Sequence, residues 1–112
     1  MKKNIIIFGD SLVSCLHIKK KYRWIELLKI RYKKKINFKV FAYNGATTDD
    51  ALKKINLVLK NKVSFLCIIF FGVNDSVYYK SLKGKPRVNI RKFKVNLLKI
   101  NNKISKKFKS KN

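Results

Sequence analysis

Apolar residues follow one another without a break at positions 5–8 and again at 65–71, and they recur at intervals of three or four elsewhere in the chain. An unbroken short apolar run suits a strand buried on both faces, so residues 5–8 (Ile-Ile-Ile-Phe) and 65–71 are predicted as strands. Between them, Phe38, Val40 and Ala42 alternate with Lys39, Phe41 and Tyr43, which predicts a further strand ending at Asn44-Gly45. Over residues 22–32, Trp24, Ile25, Leu27, Leu28 and Tyr32 recur at helical spacing, and Lys33-Lys34-Lys35 closes that helix favourably for its dipole. Thr48-Asp49-Asp50 reads as a helix start with acids in the first turn, followed by the apolar stripe Leu52, Ile55, Val58 and Leu59. After a loop holding Gly84 and Pro86, Asn89 is placed to cap a last helix over 90–105, with Phe93, Leu97, Ile100 and Ile104 on one face.

The resulting order, β-α-β-α-β-loop-α, predicts a parallel sheet with helical crossovers. No repeat and no linker divides the chain. Residues 1–105 are expected to form the folded part, and residues 106–112 a basic, frayed tail.

Composition adds one unusual feature. Lys and Arg number 29 against 5 Asp and Glu, a formal charge of +24. One reading is a partner that is a polyanion. The other is compositional drift, since Lys, Asn, Ile, Phe and Tyr, all with A/T-rich codons, crowd the chain. The basic residues are scattered and Lys outnumbers Arg, whereas phosphate recognition favours Arg forks. Drift is therefore preferred, and nucleic acid is expected to bind only non-specifically.

The two cysteines, Cys15 and Cys67, lack metal-ligand spacing, so no metal is expected, and two isolated thiols suit a reducing cytoplasm. The apolar run after Lys2-Lys3 stops at Gly9-Asp10, too short for a signal peptide, and no stretch has the length of a membrane span.

The chemistry lies where strands end. In open parallel sheets, sites gather at the carboxyl ends of strands, and each predicted strand ends in a polar loop containing glycine: Gly9-Asp10-Ser11-Leu12, Asn44-Gly45-Ala46-Thr47 and Gly72-Val73-Asn74-Asp75. Ser11 follows a strand-to-helix turn that Gly9 permits; it is either an exposed nucleophile whose own N–H serves an oxyanion, or an ordinary helix-capping serine. Gly45 allows a close backbone approach to a ligand, or is a plain turn glycine. Asn74 offers a neutral amide donor to an oxyanion, or is a turn residue.

These three segments together resemble the SGNH hydrolases, the GDSL lipase/esterase family. The first segment matches the GDSL motif in full, the glycine of the second motif falls on Gly45, and the family's G-x-N-D motif falls on Gly72-Val73-Asn74-Asp75. The resemblance implies a flavodoxin-like α/β fold of three layers. It also implies Ser11 as nucleophile, the N–H groups of Ser11 and Gly45 with the Asn74 amide as oxyanion hole, and Asp10 and Asp75 in support. The substrate would be a small carboxylic ester or thioester, with no cofactor. Each oxyanion donor is typically worth roughly 2.7–4 kcal/mol.

The family's remaining motif, Asp-x-x-His, is missing from these residues. The one histidine, His17, follows Ser11 by six residues, about 240° around a helix, which does not suit it as base. By that resemblance the fold is expected to be incomplete, with about three strands and three helices present, two strands and a terminal helix lacking, and activity impaired. A complementary fragment carrying Asp-x-x-His, or self-association through the third strand, is the partner the resemblance suggests.

Overall fold

The computed structural model describes residues 1–60, 66–78 and 83–109. Among them the order is β1 (Lys3–Gly9), α1 (Ser11–Ser14), a 3-10 turn (Lys20–Tyr22), α2 (Trp24–Tyr32), β2 (Ile36–Ala42), α3 (Thr48–Leu59), β3 (Leu66–Phe70) and α4 (Ile90–Lys109). The strands are parallel, in the order β2-β1-β3, so the chain has the α/β architecture that the alternating pattern predicts. It divides into two compact units, residues 1–44 with β3, and residues 45–60, 71–78 and 83–109.

In the first unit β1 is the central strand. Ile7 lies beside Val40 of β2 and Ile68 of β3, and Ile6, Ile7 and Phe8 are fully buried, which accounts for the unbroken apolar run. Ile5, Ile7, Val13 and Ile25 form the core of this unit, with Trp24, Phe38, Val40 and Ile68 packed against them. Each such aliphatic side chain contributes about 1.5–3 kcal/mol by leaving water. The indole N–H of Trp24 donates to the carbonyl of Leu12 at 2.8 Å, so α2 is pinned to α1 by a polar bond as well as by packing.

In the second unit α3 and α4 pack on each other. Ala51, Ile55, Val58 and Leu59 are buried on α3, and Asn96, Ile100 and Ile104 on α4. Asn89 caps α4 as expected, its Oδ1 accepting from the N–H of Lys92 at 2.8 Å.

Several boundaries depart from the sequence reading. α1 was not foreseen, because four residues are too few to show a helical period; its start is set by Asp10, whose carboxylate accepts from Leu12 N–H. α2 begins at Trp24 rather than at 22, since residues 20–22 form a 3-10 turn and Arg23 is extended. Leu27, expected on its apolar face, is exposed. β3 ends at Phe70, before Phe71, and Phe65 lies outside the described residues. Both ends of β3, Leu66 and Phe70, are exposed. α4 runs on to Lys109, into the stretch expected as a tail, and residues 110–112 lie outside the described residues.

Candidate active site

The first unit carries Ser11. β1 ends at Gly9, and the backbone continues alongside its neighbours: Asp10 N–H donates to the Phe70 carbonyl at 3.3 Å, and Tyr43 N–H to the Gly9 carbonyl at 2.9 Å. Ser11, half-buried, is then the first residue of α1. Gly9 is needed here for space rather than for an unusual φ. A Cβ on it would stand 2.4 Å from Cγ2 of Val13 and 2.8 Å from the carbonyl oxygen of Phe70, and its φ is not positive. Asp10 is fully buried with its carboxylate turned back onto Leu12 N–H at 2.9 Å, so it shapes the turn that presents Ser11. The hydroxyl of Ser14 donates to Oδ1 of Asn44, tying α1 to the start of the loop after β2.

His17 is in the same unit but not on the helix of Ser11. α1 stops at Ser14, Cys15 adopts a left-handed conformation (φ 48°), and His17 sits exposed in the following turn. The helical rotation used to place it therefore does not apply. Cys15 is buried, its thiol turned onto the carbonyl of Leu12. Cys67, within β3, is largely shielded, and burial pushes its thiol up to about 11.

The second unit carries Gly45, Asn74 and Asp75. Gly45 stands in an exposed turn at φ +72°, a left-handed conformation that favours glycine, and a Cβ there would meet nothing within 4 Å. Its carbonyl accepts from Nη1 of Arg87 at 2.8 Å. The next carbonyl, of Ala46, accepts from Nδ2 of Asn74 at 3.0 Å. The Asn74 amide, the candidate oxyanion donor, is thus oriented by the loop that carries Gly45.

Asp75 is buried and serves the start of α3. Thr48 N–H donates to its Oδ1 at 2.9 Å, and the Thr48 hydroxyl donates to its Oδ2. The cap of α3 is Thr47, the extended residue before it: its hydroxyl accepts from Asp50 N–H, and its own N–H donates to the Asp50 carboxylate. Buried Asn96 of α4 donates to both the Thr48 hydroxyl and Oδ1 of Asp49 at 2.9 Å, and Lys92 pairs with Asp49 at 3.0 Å. Desolvation pushes the Asp49 carboxyl up, but the Asn96 and Lys92 hydrogen bonds and the charges of Lys92 and Lys53 outweigh it and hold it below the usual carboxylate value. Asp49 is therefore charged at neutral pH.

Gly72, at φ +133°, marks the sharp departure from β3, with Phe93 packed 3.3 Å from where its Cβ would be. Three residues of this unit were missed in the sequence: Thr48 as a ligand of Asp75, Asn96, and Arg87. None stands in a motif. The only sequence sign of Asn96 is a polar residue on the apolar face of α4.

Among the described residues no group of three His, Cys, Asp or Glu is arranged to hold a metal ion, and no helix is long and apolar enough to cross a membrane.

The profile of the GDSL-like Lipase/Acylhydrolase family matches residues 5–112. The chain belongs to that family. No curated protein matches it. Among solved structures, AlinE4, an SGNH-hydrolase family esterase, is similar with a TM-score of 0.73 and 24% identity over 95% of this chain. The psychrotrophic esterase EstA from Pseudoalteromonas sp., inhibited by monoethylphosphonate, has a TM-score of 0.76 at 24% identity over 96% of the chain. TesA has 0.73 at 21% over 95%. All three likenesses are of fold. The GDSL-family chain spans 55–56% of the length of these structures.

Proposed function

We propose that the chain carries the nucleophile and oxyanion-binding part of a serine hydrolase acting on carboxylic ester or thioester bonds. The observation that carries this reading is the family match across residues 5–112, with all three motif segments in order within it. The esterase neighbours of the same fold support it.

In this reading Ser11 Oγ attacks the carbonyl carbon as its proton passes to a base. The carbonyl oxygen becomes an oxyanion held by the N–H groups of Ser11 and Gly45 and by the Asn74 amide. The intermediate expels the alcohol or thiol, which takes up the proton. Water then attacks the acyl-serine, releases the acid and restores Ser11. Asp10 and Asp75 act on this machinery through the turns they hold.

The base of the family, in Asp-x-x-His, is not among the 112 residues; the one histidine, His17, lies outside any such motif and stands exposed in the turn after α1, so it is not assigned that role. Turnover by this chain alone should therefore be slow, within the residual about 10³–10⁴-fold over water typical of triads lacking a member. A complementary segment bearing Asp-x-x-His would restore it. The two free thiols, Cys15 and Cys67, support a cytoplasmic setting.

Hydrolysis of a short-chain p-nitrophenyl ester tests the reading. A small rate that disappears in Ser11→Ala supports it, and an identical rate in Ser11→Ala refutes it.

A further inference from the structure

We infer that Arg87 is a positioning residue for the turn that carries Gly45. The inference rests on the reading of Gly45 as an oxyanion donor.

An oxyanion donor must be held in place before charge develops, because a donor that reorients during the reaction loses most of its electrostatic advantage. Gly45 itself has little packing to hold it: it is exposed, and the space where a Cβ would sit is open to 4 Å, whereas Ala46 after it is buried. Its φ of +72° is also one of several conformations open to glycine. Hydrogen bonds to its carbonyls supply the restraint. Nη1 of Arg87 holds the Gly45 carbonyl at 2.8 Å and Nδ2 of Asn74 holds the Ala46 carbonyl at 3.0 Å. The two peptide planes so gripped, Gly45–Ala46 and Ala46–Thr47, follow directly on the plane that carries the Gly45 N–H, so holding them restrains that N–H through the Gly45 backbone dihedrals.

Arg87 is itself anchored to the segment that bears Asn74. Its backbone N–H donates to the Val77 carbonyl at 3.0 Å, and the next N–H, of Val88, donates to the Asp75 carbonyl at 3.1 Å. Tyr78 and Pro86 form an antiparallel bridge beside them. The guanidinium thus reaches the Gly45 turn from a backbone fastened to the third motif, so the two loops that carry candidate donors are coupled through one side chain. The guanidinium is always charged and its planar fork loses little freedom on bonding, so its bond to a carbonyl is stronger than a neutral one.

The test uses the full chain with Arg87→Ala and Arg87→Lys, read in two ways. Backbone ¹⁵N relaxation should show the Gly45 order parameter falling from a rigid value of about 0.85 toward about 0.6 in Arg87→Ala, with Ile100 and Ile104 of α4 unchanged as the check on folding. The part of p-nitrophenyl acetate hydrolysis that Ser11→Ala removes should fall about tenfold in kcat with KM unchanged, and Arg87→Lys should recover part of both losses. Unchanged order at Gly45 overturns the inference while leaving the hydrolase reading intact. So does a loss of order with an unchanged Ser11-dependent rate. If Ser11→Ala removes nothing, the hydrolase reading fails and the positioning role of Arg87 fails with it.

Discussion

Thr48 gives both of its hydrogens to the carboxylate of Asp75, the backbone N–H to Oδ1 and the hydroxyl to Oδ2. Both residues are buried, and the bonds join the last residue of the third motif to the first residue of α3. A carboxylate at this place also meets the positive end of the α3 dipole. The pair explains why an acid follows Asn74: it braces the backbone on which the Asn74 amide is mounted.

Removing that brace should be costly. In Asp75→Ala two buried donors of Thr48 lose their acceptor, and the expected loss is about 3 kcal/mol, against about 1–2 kcal/mol for Asp75→Asn, which keeps one acceptor. Denaturant unfolding of the two variants beside the parent measures this. Equal stabilities for all three would contradict the arrangement.

Two glycines at strand ends should respond differently to the same change. Gly9→Ala forces a Cβ to within 2.4 Å of a Val13 methyl and 2.8 Å of a carbonyl, so it should destabilise by about 1–3 kcal/mol. Gly45→Ala meets open space and pays only for its left-handed φ, about 1–2 kcal/mol, while disturbing the turn that holds the candidate donor. The expected order is a lower melting temperature for Gly9→Ala and a larger loss of Ser11-dependent hydrolysis per degree for Gly45→Ala.

Cys67 should make stability fall in alkali. Its folded pKa, about 11, lies above the ordinary 9.0, so the folded state favours the protonated thiol. That contribution is complete below pH 9 and is lost as the pH rises through about 11. Lysines and tyrosines also titrate there, so the measurement is the difference between the parent and Cys67→Ala at pH 8 and pH 10.5. The parent should lose more than the variant over that interval.

The open side of β3 should promote self-association. Among the described residues β3 pairs with β1 alone, and Leu66 and Phe70 are exposed. An unpaired apolar edge is a template for another chain. The charge of +24 opposes this at low salt, but screening shortens to about 8 Å at 0.15 M. Light scattering should rise along a salt series, and a cooperatively unfolding monomer at 0.5 M salt would refute the proposal.

Local rules carried the reading of the elements. The runs at β1 and β3, the alternation in β2 and the stripes of α3 and α4 are periodic signals within a dozen or so residues, and each became the predicted element to within a few residues. The exceptions were as short as their signals: four residues of α1 and a single 3-10 turn have no period to read.

By itself, then, the sequence determined the α/β order, the parallel strands and the family, because pattern and motif are written in neighbouring residues. Tertiary structure alone decided what surrounds the motifs. Asp75 meets Thr48 across 27 positions, Arg87 meets Gly45 across 42, and Asn96 meets Thr48 across 48. No local period records such bonds. Likewise Gly9 reads in sequence as a turn glycine, and only the nearness of Val13 and Phe70 shows that it is there for room.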